Sequence, residues 1–146
     1  MMKQIRIWPV LFTLYCALML WLLFDRPGSV PGIPYWNQVR SNLNLVPFHT
    51  LRLFTGLLDS SHPEYVRAAV VNLFGNVIMF IPLGFLLPLT FRRLAGLWKV
   101  LLTATLLVTA VELLQLFTLV GSCDIDDLIL NLIGTVLGYG LFKPSK

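Results

Sequence analysis

Glu112 is an ionisable side chain inside the apolar run from Leu97 to Val120. In hydrocarbon such a group costs at least about 2.5 to 3.5 kcal/mol, which any apolar residue would avoid. Thr105 and Thr109 precede it and Gln115 follows it at helical spacing, which predicts one shared polar face. A second apolar run, Ala68 to Phe91, carries Asn72 and Asn76 four residues apart. A third, Leu128 to Phe142, is preceded by Asp124, Asp126 and Asp127 and contains Asn131, Gly134 and Gly138. From Asp127 the steps of 4, 3 and 4 keep Asn131 and both glycines on one helical face. At about 1.5 Å per residue, Asn76 and Glu112 both fall about 12 Å inside the ends of their runs, and Asn72 about 6 Å. Three segments that bring polar groups to a similar depth predict one cavity lined by Asn72, Asn76, Glu112, Gln115, Asp124, Asp127 and Asn131.

Glu112 and Asp127 close together suit proton exchange or capture of a cationic or hydroxyl group, with the amides orienting it. Carboxylates and amides could also hold a divalent cation through oxygen. An enzyme would have to rest on Glu112 and Asp127 as acid and base. The plainer alternative stays open, since Asn, Gln and Thr also bond helices together at about 0.6 to 2 kcal/mol each. No nucleophile elbow, phosphate-cradling glycine loop or zinc spacing is present. His49 and His62 read as loop residues, as do Ser60 and Ser61, so no metal or cofactor is expected.

The elements that must hold this cavity follow from composition. The chain has 146 residues, 12% of them charged and 57% hydrophobic. Its mean hydropathy is +0.79. Soluble domains carry about 25% charged residues, and a small one needs polar surface to cover its core. The composition therefore excludes a soluble globule and a disordered chain, and two cysteines exclude a disulfide scaffold. The net charge of +4 is scattered between apolar runs, which argues against nucleic-acid binding.

The expected architecture is all-α: a four-helix transmembrane bundle with spans at about 7–24, 68–91, 97–120 and 124–142, forming a single domain over 1–146. The last span reaches a workable length only if Asp124 to Asp127 form its first turn. The 25–67 loop reads as an outer loop, rich in turns at Pro27, Gly28, Pro31, Gly32 and Pro34. Phe48, Leu51, Phe54 and Leu58 recur at helical spacing, which predicts a short amphipathic helix on the membrane surface or packed against the bundle. Pro82 and Pro88 predict breaks in the second span. Lys3, Arg6, Arg92, Arg93, Lys99, Lys143 and Lys146 fall on one side, against Arg26, Arg40, Arg52 and Arg67 on the other. The positive-inside rule then places both termini in the cytoplasm. The first span is too long for a signal core and lacks a small-residue cleavage site, so it reads as a retained anchor. Gly134 and Gly138 form a small-x-x-x-small surface for a close helix partner.

These fragments also carry a resemblance. Asn44-Leu45-Val46-Pro47-Phe48, Asn72 through Asn76, Phe80-Ile81-Pro82-Leu83-Gly84, Glu112-Leu113-Leu114-Gln115 and Asp124-Ile125-Asp126-Asp127-Leu128, with Asn131 and Gly134, resemble the VanZ-like family of small bacterial membrane proteins. The resemblance implies a place in the bacterial cell membrane and a link to the cell envelope. It also implies a contribution to teicoplanin-type lipoglycopeptide tolerance, the property from which the family is named. An envelope lipid, an amphiphilic antibiotic or a lipid-linked precursor would be the partner. Where many members have an arginine just before the final acidic motif, this chain has Gly121-Ser122-Cys123.

Overall fold

The computed structural model describes residues 7–142, so Lys3, Arg6, Lys143 and Lys146 lie outside the described residues. Among the described residues the fold is all-α but for one short strand pair. Its helices are α1 (Ile7–Phe24), α2 (Tyr35–Ser41), α3 (His49–Leu57), α4 (Pro63–Thr90), α5 (Leu97–Thr118) and α6 (Ile125–Gly140). β1 (Leu43–Asn44) and β2 (Cys123–Asp124) pair in parallel, Leu43 opposite Cys123 and Asn44 opposite Asp124. Among the described residues, α1, α4 and α5 are long and apolar enough to cross a membrane. With 16 residues, α6 is shorter.

α4 starts five residues earlier than the hydropathy predicts. Pro63 fits a first turn, where no N–H is needed, and Glu64 suits the positive end of the helix dipole. The break expected at Pro82 is absent: α4 runs unbroken through Pro82 and Pro88 to Thr90. Neighbouring helices stabilise the weakened turn. The Tyr15 hydroxyl of α1 donates to the Met79 carbonyl at 2.9 Å, next to the carbonyl that Pro82 leaves without its helical partner.

The most extensive packing is between α4 and α6, followed by α5 on α6 and α1 on α4. A Cβ on Gly134 would overlap the Val77 carbonyl, one on Gly138 the Ile81 carbonyl, and one on Gly84 the Thr135 carbonyl. The glycine face read as a docking surface is therefore filled by α4 of the same chain. Met19, Phe80, Leu83, Ala104 and Val108 form the central core. On α5 the buried ridge runs Val100, Ala104, Val108, Glu112 in steps of four. Thr105 and Thr109, on the neighbouring ridge, are half-buried and do not line the recess that Glu112 enters. The Thr105 hydroxyl donates back to Leu101 O at 2.9 Å.

The 25–67 segment is more ordered than the sequence suggests. The Gln38 side chain accepts from Val30 N–H at 2.7 Å and donates to Ile33 O at 2.7 Å, folding the Pro-Gly stretch over α2. Within this segment α3 packs on α4 and α6. α1 is peripheral: among its residues only Met19 is buried, while Leu14, Leu18 and Trp21 point outward.

Candidate functional site

The acidic turn that opens α6 divides into two jobs. Asp124 is the N-cap, and its Oδ1 accepts from Asp126 N–H at 2.8 Å. Its Oδ2 accepts from Asn44 Nδ2 at 3.1 Å and from the Thr50 hydroxyl. Asp126 has no solvent exposure. Its two oxygens accept from Phe48 N–H at 2.6 Å and Leu51 N–H at 3.0 Å, the amides that open α3. Phe48 is held at φ 63°, a left-handed conformation unusual for a side chain of its size. The β1–β2 pair lies beside these bonds. Asp124 and Asp126 thus tie the 43–51 segment to α6, with all four oxygens occupied.

Asp127 faces the other way, into a recess between α4, α5 and α6. Asn76, Glu112, Gln115, Asp127 and Asn131 line it together, with Ser122, Arg26, Phe80 and Val108. Asn76 Nδ2 donates to Asp127 Oδ1 at 2.8 Å. Gln115 Nε2 donates to Leu23 O at 2.8 Å, tying α5 to the last turn of α1. The Cys123 thiol donates to Glu112 Oε2 at 3.9 Å. Burial, reinforced by the Glu112 carboxylate, pushes this thiol's pKa up and keeps it protonated. Glu112 Oε1 and Asn131 Oδ1 are buried without any partner, as is Asn72 Oδ1 one turn along α4. A buried acceptor left without a donor costs about 1 to 3 kcal/mol. The recess holds about 40 Å³. A water needs about 10 to 15 Å³, so the space suits a few waters or one ammonium-sized group. Among the described residues no three His, Cys, Asp or Glu side chains form a group that could hold a metal ion.

Of the seven residues expected to line one cavity, five meet in this recess. Asn72 is adjacent on α4 but outside the lining, and Asp124 is used in the loop tie. Arg26 and Ser122 line the recess without having been singled out from the sequence. The signal for Arg26 was its place, a base just past the end of the first span and level with the acids. Arg26, two residues past the end of α1, brings a basic side chain to the recess.

Comparison with known proteins gives a consistent result. The family model described as VanZ/LLP1 matches residues 12–145. Protein VanZ of Enterococcus faecium is 31% identical over 137 residues, covering 93% of this chain and 73% of that protein. No solved structure matches.

Proposed function

The chain belongs to the VanZ/LLP1 family, and on that premise we propose that it binds the donor-bearing head of an amphiphile at the outer face of the bacterial cell membrane. In this reading α1, α4, α5 and α6 all cross the bilayer as one domain. Both termini are cytoplasmic, and α3 lies at the outer surface. The recess then opens near the outer boundary, where lipoglycopeptides of the teicoplanin type act. Glu112 and Asp127 bind a cationic or hydroxyl group, and Asn76, Gln115 and Asn131 orient it. The observation that carries this is the pair of buried, unpartnered oxygens, Glu112 Oε1 and Asn131 Oδ1, in a recess that also holds Asp127.

The test is teicoplanin tolerance in a susceptible host expressing the protein. Glu112→Gln and Asp127→Asn keep shape and hydrogen bonding but remove charge. Each is expected to return the host to its background sensitivity at unchanged membrane abundance. Full tolerance in both variants overturns the reading.

A further inference from the structure

Beside the polar recess lies an apolar groove of about 220 Å³ between α1 and α5. Cys16 and Leu20 form one wall, Leu107 the other, and Leu83 of α4 is part of the floor. Leu23, Phe80, Val108 and Val111 line both spaces, so the groove and the recess adjoin. The Gln115–Leu23 hydrogen bond bridges α1 and α5 where the two spaces meet. The one hydroxyl on the groove, that of Tyr15, is already committed to Met79 O.

We infer that this groove holds an acyl chain of an envelope lipid whose headgroup carries a primary ammonium, with the ammonium in the recess and the phosphate at Arg26. The inference rests on the recess reading above and names its ligand. Chemistry selects the occupant. A polypeptide segment needs partners for its backbone, and a groove lined by carbon supplies none. An acyl chain needs only apolar walls, and it reaches them directly from the bilayer because α1 and α5 are both apolar enough to span it. At the polar end the charges are ordered as a zwitterion requires. Glu112, Asp127 and the Asn131 oxygen accept from the ammonium, which has three donors, while the exposed Arg26 guanidinium at the rim suits phosphate. The 40 Å³ recess admits an ammonium but not the ring system of a glycopeptide.

The full-length protein would be reconstituted in nanodiscs of equal phosphatidylethanolamine and phosphatidylglycerol, re-extracted in detergent, and its retained lipid measured by mass spectrometry. The expected result is retention of the ethanolamine lipid over the glycerol lipid by about tenfold, the size of one charge-assisted hydrogen bond. Equal retention of the two, or none, overturns the proposal. Leu107→Trp fills the groove from a half-exposed position and is expected to abolish retention. Glu112→Gln is expected to keep lipid but lose the headgroup preference. Retention by Leu107→Trp at the wild-type level overturns the groove. Preference unchanged in Glu112→Gln overturns the recess reading while the chain site stands. A diazirine placed mid-chain in phosphatidylethanolamine tests the unmutated protein, with labelling expected on residues 16–23 and 107–111. Labelling confined to other segments overturns the groove site whatever the variants do.

Discussion

Asp126 gives both carboxylate oxygens to backbone amides of a segment more than seventy residues earlier in the chain. Hydrogen bonds to a charged acceptor contribute about 1.5 to 3 kcal/mol each, and amides left buried without partners cost a similar amount. Asp126→Asn keeps one acceptor, and Asp126→Ala keeps none. The alanine variant is therefore expected to lose about twice the stability of the asparagine variant, with proteolysis within residues 45–58 as the first sign. Limited proteolysis alongside thermal unfolding would check it; equal losses would mean that only one of the two bonds matters. At this scale the sequence was informative where a polar residue interrupts an apolar run. Glu112, Gln115, Asn76 and Asn131 were all found that way, because an interior polar group needs a reason wherever it sits. The division of labour between Asp124, Asp126 and Asp127 was not legible. Adjacent acids at a helix start look alike until the loop that two of them hold is folded against them. Arg26 was missed because a base just beyond a span also has an ordinary role in setting topology.

The α4–α6 contact is the element on which the recess depends, since it places Asn76 within hydrogen-bonding distance of Asp127. Gly84, Gly134 and Gly138 let the two backbones approach closely, and a methyl group at any of them meets a carbonyl of the other helix. Overpacking of this kind costs about 1 to 3 kcal/mol. Backbone cannot rotate aside as a side chain can, so the helices would have to separate. Each single Gly→Ala change is expected to lower the thermal unfolding midpoint and weaken the Asn76–Asp127 bond. Gly140→Ala is the control: nothing lies within 4 Å of its added carbon, and alanine is the better helix former by about 1 kcal/mol. If the four variants unfold at the same temperature, the close approach is not what holds the pair. The small-x-x-x-small spacing was legible from Gly134 and Gly138, but the partner was not. Spacing describes one helix face and says nothing of which helix meets it. Pro82 failed as a break for a related reason. Local chemistry predicts a lost hydrogen bond correctly, but α1 and α6 hold that turn in place.

Across the whole molecule, two ends carry different chemistry. The short α4–α5 connection and the first turn of α5 have Arg92, Arg93 and Lys99 with no acid. There the Tyr139 hydroxyl donates to Ala95 O at 2.8 Å, and Trp98 stands 81% exposed, as aromatics do at a membrane boundary. The opposite end holds the recess, the acidic turn and the ordered 25–58 segment. The positive-inside rule assigns the α4–α5 connection to the cytoplasm, and single cysteines would decide it. In a Cys16→Ala, Cys123→Ala background, Ser29→Cys is expected to react with a membrane-impermeant maleimide in intact cells. Gly96→Cys, at an exposed position with ordinary extended backbone, should react only after permeabilisation. The reverse pattern would put the recess on the cytoplasmic side. A drug that stays outside the cell could not then meet it, so tolerance would have to be abandoned as its role. The lipid site would survive that outcome, because an acyl chain reaches the groove between α1 and α5 from within the bilayer, whichever leaflet the recess faces.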